Sequence, residues 1–177
     1  MKTLILVHPG SLCGSARAML GKYDADAARE EILYQVSHHH GPLVVIDGSF
    51  SDELSRAENE LIETSLARNE ALGYLALRIW GCDAGDAPYI GWKPTGLMGK
   101  HAVFDGQEEA ACSIADLIDT PIIEITGAWA TEDRSSGCVC SVHDALVSVH
   151  GPARDIRVSD MALMEPGNYP EDSFTAD

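Results

Sequence analysis

Two cysteines and two histidines stand close together in SSGCVCSVHDALVSVHG, residues 135–151. Thiols and imidazoles are side chains that proteins use for nucleophilic attack and for binding zinc. Cys138 comes at the start of a predicted helix, where unpaired N–H groups and the helix dipole favour the thiolate. A buried cysteine at the edge of a core-facing helix is also common. Cys138 therefore has two open interpretations, as a nucleophile or as a packing residue.

The same stretch has the periodicity of a helix with one apolar face. That face consists of Val139, Val142, Leu146 and Val149. Cys140 lies nearly opposite, within one turn of His143 and Asp144, but two side chains of the metal-binding kind are fewer than a zinc site needs. The run HHH at 38–40 ends a predicted helix, where the dipole accounts for histidine and adjacent side chains point apart. We predict no metal and no cofactor.

The composition excludes several classes of function. The chain has 177 residues, a formal net charge of −16 and a pI near 4.6. Such a charge repels phosphate backbones and anionic lipid, so we expect no nucleic-acid partner and no membrane partner. Five cysteines in a chain without an export signal favour free thiols and a cytoplasmic location. We predict one domain over 1–160 and an acidic, mobile tail over 161–177.

Apolar runs alternate with helical patterns along the chain. The predicted strands are 3–7, 42–49, 73–81, 120–127 and 154–160, and the predicted helices are 16–39, 51–72, 107–119 and the stretch described above. Strands that are nearly all apolar indicate a parallel sheet covered on both faces. With right-handed crossovers, the pattern predicts a three-layer α/β/α fold, whose mainly parallel, doubly wound sheet has about five or six strands.

Ligands in such folds bind beyond the carboxyl ends of the strands. This rule selects Asp47, at the end of the second strand, and the long segment 82–106, which is rich in glycine, proline and aromatic residues. It also selects the loop 8–17, HPGSLCGSAR, whose backbone N–H groups suit a phosphate. Three tryptophans in the strand-end loops are predicted to line an apolar pocket: Trp80, Trp92 and Trp129.

Several of these segments, taken in order, resemble the isochorismatase-like cysteine hydrolases. KTLILVHPG resembles the family's first strand, GKHAVFDG (99–106) its lysine loop, and IIEITGAWATEDRSSGCVCSVHDAL its strand, glycine, nucleophile and trailing DA. The resemblance implies an α/β/α fold, a nucleophile at Cys138, a lysine at Lys100, and oxyanion binding by backbone N–H groups near Ala128 and Cys138. His8 stands where the family has its aspartate.

We therefore expect a small-molecule hydrolase acting on an amide-type C–N bond. Cys138 would attack, Lys100 would favour its thiolate, and His8 or Asp47 would handle the proton. Aligned strictly on the trailing DA, however, the nucleophile position falls on Gly137. A catalytically silent small-molecule-binding or regulatory protein is thus one alternative, and a phosphate- or nucleotide-binding enzyme using the 8–17 loop is another. Each of these three functions is compatible with a homo-oligomer.

Overall fold

A computed structural model describes residues 1–12, 25–48, 54–82 and 103–163. The strands are β1 (Lys2–Val7), β2 (Leu43–Asp47), β3 (Ala76–Cys82), β4 (Val103–Asp105), β5 (Ile122–Gly127) and β6 (Asp155–Val158). The helices are α1 (Ala25–His38), α2 (Arg56–Ala71), α3 (Gly106–Ile114) and α4 (Cys138–His150). Short 3-10 turns cover Pro9–Leu12, Ala115–Leu117, Gly151–Ala153 and Asp160–Ala162.

The six strands form one sheet in the order β4-β3-β2-β1-β5-β6, and every neighbouring pair is parallel. This confirms the predicted fold class. The sequence pattern did not predict β4, because this three-residue edge strand lies within the segment 82–106, which has little periodicity. The predicted helix over 107–119 was too long, since α3 ends at Ile114 and a 3-10 turn follows.

Each face of the sheet has its own apolar core. On one face, side chains such as Ile5, Ile46 and Ile125 pack against α3 and α4. On the other face, side chains such as Leu4 and Val45 pack against α1 and α2. Alternate residues of one strand point to opposite faces, which is why nearly continuous apolar runs were needed to form both cores.

Two helices show how local sequence fixes the elements. A capping box begins α2, because the Ser55 side chain accepts from the Glu58 N–H and the Glu58 carboxylate accepts from the Ser55 N–H (2.8 Å). In α4, the predicted apolar face is correct over its first three members, which are buried. Val149 is 46% exposed, so its assignment to that face was wrong: the last turn of α4 runs past the core.

Strand order places the topological switch point between β1 and β5. The chain moves from β1 outward through β2, β3 and β4, and then returns to the opposite side of β1 to form β5 and β6. The loops that leave β1 and β5 therefore run in opposite directions, and they open a crevice at the carboxyl edge of the sheet. The residues after Val7 and after Gly127 border that crevice.

Candidate functional site

The end of β5 lies unusually close to β1. Gly127 has φ 123°, and a Cβ atom there would lie 2.0 Å from the carbonyl oxygen of Val7, so only glycine fits. The next residue, Ala128, donates its N–H to the same carbonyl at 2.9 Å. The peptide bond between Ala128 and Trp129 is cis. Because its N–H is already used, Ala128 does not supply the oxyanion donor that we expected.

The start of α4 is fastened to this same loop. Gly137, the residue before the helix, has φ 105°, and a Cβ atom there would lie 2.1 Å from the Trp129 carbonyl oxygen. Val139 donates its N–H to that oxygen at 3.4 Å. Among the described residues, no side chain forms a cap hydrogen bond at the start of α4. The structure thus brings Cys138 to the end of β5 at the switch point, on a helix start that lacks a side-chain cap.

The thiol of Cys138 is half-buried and packs against the core beneath α3 and α4. Burial raises its pKa, although its own backbone N–H acts in the opposite direction. We had expected the helix start to lower this pKa; among the described residues, loss of hydration outweighs the helix effect. Lys100, the cation that the family resemblance implies, lies outside the described residues.

The predicted tryptophans do not converge on Cys138 in the described part of the chain. Trp80 is buried, being 2% exposed, and Trp92 lies outside the described residues. Trp129 is half-buried and packs with Met161 against the core beneath α1 and α2, on the face of the sheet opposite to the Cys138 thiol. Only the Trp129 backbone adjoins the start of α4.

His8 is the first residue after β1 and is nearly buried, with φ 45°. Its Nε2 lies 2.8 Å from the carbonyl oxygen of Gly81, and its ring lies where a Cβ on Gly48 would fall, at 2.8 Å. Both contacts are on the β2–β3 side of β1, away from β5. Burial lowers the pKa of His8, which favours a neutral imidazole that donates Nε2–H to Gly81.

Asp47 is wholly buried and bound by an arginine. Arg78 donates Nε–H to Oδ2 at 2.6 Å and Nη2–H to Oδ1 at 3.2 Å, and its Nη1 contacts Asn59 (2.7 Å) and Glu63. Burial raises the pKa of Asp47, while the Arg78 guanidinium opposes that rise. This bidentate geometry makes Asp47 part of a buried network between β2, β3 and α2.

Sequence reasoning missed Arg78, although a signal was present. An arginine in the middle of the apolar run GYLALRIWG must either break the strand or find a buried acid, because a buried charge needs a partner. It also missed Thr126, whose buried Oγ1 has no hydrogen-bond partner among the described residues. The sequence does not indicate a special role for a threonine at the end of an apolar strand, because threonine is common in strands by propensity alone.

A cleft of about 310 Å³ lies beside α4, and it is lined by Cys140 rather than Cys138. Ser136, Glu108 and Asp144 also line it. Burial raises the pKa of Cys140, Asp144 raises it further, and the Ser136 backbone acts in the opposite direction. This acidic lining disfavours a thiolate at Cys140, so the cleft does not supply a second nucleophile.

Three further histidines of the described ranges have structural partners. His38 stacks on Tyr34 with ring centroids 4.0 Å apart, and Nε2 of His39 lies 3.0 Å from the Pro42 carbonyl oxygen. Nδ1 of His143 contacts Asp144 at 2.9 Å. Over 1–12, 25–48, 54–82 and 103–163, no three histidine, cysteine or acidic side chains are grouped to hold a metal ion.

The remaining sequence predictions lie mostly beyond the described ranges. Of the loop 8–17, the structure describes the beginning, a 3-10 turn over Pro9–Leu12. The segment 83–102 and the tail from 164 onward are not described. Within the described part of the chain, no helix has the length and apolar character needed to cross a membrane. No family model, curated protein or solved structure matches this chain.

Proposed function

We propose that the protein is a small-molecule hydrolase that cleaves an amide-type C–N bond with Cys138 as its nucleophile. The observation that supports this most is the position of Cys138. It begins α4 directly beside the end of β5, at the switch point where doubly wound folds bind their ligands. Neither Asp47 nor Cys140, the other candidates, combines an accessible edge position with a setting suited to nucleophilic attack.

The proposed chemistry uses the uncapped helix start. The Cys138 thiolate attacks the carbonyl carbon, the amine leaves with a proton, and water then hydrolyses the thioester. The backbone N–H of Cys138 would stabilise the oxyanion, since the next N–H of the helix start, that of Val139, is already donated to the Trp129 carbonyl oxygen. His8, in the loop after β1, is the proton acceptor that we assign, because its lowered pKa keeps the imidazole neutral and able to accept a proton.

Activation of the thiol requires a cation, since the described surroundings raise the pKa of Cys138. The family resemblance assigns that role to Lys100. A positive charge near a thiol lowers its pKa and restores the thiolate. The proposal therefore depends on a lysine–cysteine pair, and this pair can be tested directly.

The test is the rate of alkylation of each cysteine by iodoacetamide between about pH 6 and pH 9, read by mass spectrometry. We expect Cys138 to react at about pH 7 faster than the exposed Cys112, and Lys100→Met to slow Cys138 alone. Lys2→Met, which also removes one lysine, is the matched control. Equal rates for Cys138 and Cys112, or no effect of Lys100→Met, would contradict the proposal.

A second candidate is a catalytically silent binding protein on the same fold. The raised pKa of Cys138 favours it, because a protonated thiol is a poor nucleophile. In that case Cys138 packs against the core and alkylates slowly at every pH in the series. The same experiment thus separates the two candidates.

A further inference from the structure

The strand β6 forms one edge of the sheet, and β5 is its only neighbour among the described residues. Asp155 donates its N–H to the Pro121 carbonyl oxygen, on the β5 side, at 2.9 Å. Ser159, just after the strand, likewise donates to Ile125 of β5 at 2.8 Å. Successive residues of a strand direct their backbone polar groups to alternate sides, so the N–H and C=O of Ile156 point away from β5. This edge can therefore pair with a further strand.

One face of this edge carries two opposite charges. Asp155 and Arg157 are two residues apart, so their side chains lie on the same face of the sheet, opposite to the face on which Ile156 packs beneath α4. Both are exposed, and Arg157 Nε donates to Asp155 Oδ1 at 2.8 Å. An exposed ion pair of this kind contributes little to folding. Since a guanidinium has five N–H donors, Arg157 can bind a second carboxylate as well.

The order of these charges is complementary to itself under two-fold symmetry. If two copies of β6 pair in antiparallel fashion about Ile156, Asp155 of each copy lies opposite Arg157 of the other. Directly opposite side chains in such a pair have Cβ atoms about 5 Å apart, and opposite charges at these positions are favourable. The chain as a whole, with a net charge of −16, repels a second copy. The edge strand, with one acid and one base, does not.

The other face of the edge is apolar. Ile156 and Ala145 of α4 are half-buried at the border of the core, and Val149, one helical turn after Ala145, is 46% exposed. The helix α4 packs between α3 and β6, and Cys140 lines a cleft together with Glu108 of α3. Val149 comes nine residues after Cys140, which is about two and a half helical turns. Val149 therefore lies on the side of α4 that faces the β6 edge.

We propose that the protein forms a two-fold symmetric dimer in which β6 pairs in antiparallel fashion with β6 of a second copy. The Ile156 N–H of each copy donates to the Ile156 carbonyl oxygen of the other, so the two sheets become continuous. Asp155 and Arg157 form reciprocal ion pairs on one face, and Val149 and Ile156 of both copies form an apolar contact on the other. The dimer does not depend on the proposed hydrolase activity.

The test is sedimentation equilibrium of the full chain in about 0.15 M NaCl, at concentrations between about 5 and 500 µM. We expect the apparent mass to rise from the chain mass of 19.0 kDa toward twice that value as the concentration increases. An apparent mass of 19.0 kDa over the whole range would overturn the proposal.

Two charge-reversal variants test the register of the pairing. Arg157→Asp and Asp155→Arg each place like charges opposite one another, so each should weaken self-association about tenfold or more. An equimolar mixture of the two variants should restore the dimer, because every aspartate then faces an arginine. Arg56→Asp is the matched control: it reverses a highly exposed charge on α2, and should change the dissociation constant by less than about twofold. A mixture that stays monomeric, or an equal loss with Arg56→Asp, would show that β6 is not the interface.

A pair of valine variants tests the apolar side. Val149→Lys should weaken the dimer about fivefold or more, because it places a charge in the apolar contact. Val147→Lys is the matched control, since Val147 is 41% exposed but follows Cys140 by two turns and so lies on the α3 side of α4. Equal effects of the two variants would overturn the proposed arrangement of the two copies.

Discussion

Asp47 and Cys138 were selected by the same rule, yet their surroundings differ. Both lie at the carboxyl edge of the sheet, one at the end of β2 and the other just beyond β5. Asp47 is wholly buried and bound in bidentate fashion by Arg78. Cys138 is half-buried at a helix start without a side-chain cap. Burial raises its pKa, and no charged group among the described residues shifts that pKa further.

The difference shows what a strand-end position does and does not determine. The edge fixes where the backbone of a residue lies, but the facing elements decide whether its side chain is available. At Asp47, β3 contributes Arg78, which binds the carboxylate, and Asn59 and Glu63 of α2 hold the guanidinium of Arg78 in turn. At Cys138, the loop from β5 contributes the Trp129 backbone and no ionised partner.

The sharpest way to test the structural role of Asp47 is Arg78→Met, which leaves a wholly buried carboxylate without its guanidinium. Removing one partner of a buried ion pair costs about 3–5 kcal/mol, so we expect the free energy of unfolding in urea to fall by that amount. The double variant Asp47→Asn, Arg78→Met should recover much of the loss, because no wholly buried charge remains; Glu63, the other carboxylate on Arg78, is partly exposed to water.

Two results bear on this prediction. The exposed Arg56→Met serves as the matched control, and it should change the unfolding free energy by less than about 1 kcal/mol. A similarly small effect of Arg78→Met would show that water or a rearrangement hydrates Asp47, and Asp47 would return as a candidate for proton transfer.

The start of α4 is tested by Gly137→Ala. Gly137 has φ 105° and ψ 158°, a region that side chains rarely enter, and the new Cβ would lie 2.1 Å from the Trp129 carbonyl oxygen. Gly151→Ala is the matched control, since Gly151 ends the same helix at φ 55° with nothing within 4 Å of the new Cβ.

Both glycine variants share the backbone strain, so their difference isolates the contact with Trp129. We expect Gly137→Ala to lower the unfolding free energy by about 1–3 kcal/mol more than Gly151→Ala does, the typical cost of an added atom in a packed site. Gly137→Ala should also change the alkylation rate of Cys138, because the helix start must move. Equal losses for the two variants would mean that α4 is not held against the β5 loop.

Most of the fold could be predicted from the sequence, for a physical reason. Runs such as TLILV and PLVVID are apolar at successive positions, which only a sheet buried on both faces explains. The strand β4 could not be predicted, because three residues carry no periodicity. Nor could the exposure of Val149, since the periodicity of α4 continues after the core beneath it has ended.

The candidate site was less predictable than the fold. Sequence spacing placed Cys138 at a helix start, and the structure has it there. The pKa of its thiol could not be predicted, because the helix effect and burial act in opposite directions and only packing decides between them. The pairing of Asp47 with Arg78 joins residues 31 positions apart, which local pattern does not reveal.

The smallest expected effect concerns His8, which borders both regions: it lies at the switch point, and Asp47 influences its pKa. Burial lowers the pKa of His8 in the folded state, below about 6.5 in the unfolded chain. The unfolded chain therefore binds more protons as pH falls through that range, so the contribution of His8 to stability is present above about pH 6.5 and is lost at lower pH.

The measurement is the unfolding free energy at several values between about pH 5 and pH 7, for the wild type and His8→Asn. Asparagine tolerates the positive φ of this position and cannot titrate. We expect the wild type to lose stability with falling pH more steeply than His8→Asn, by at most about 1.4 kcal/mol per pH unit, the limit for one proton.

His40→Asn controls for the loss of an exposed histidine. Parallel curves for the wild type and His8→Asn would mean that His8 is hydrated in the folded protein.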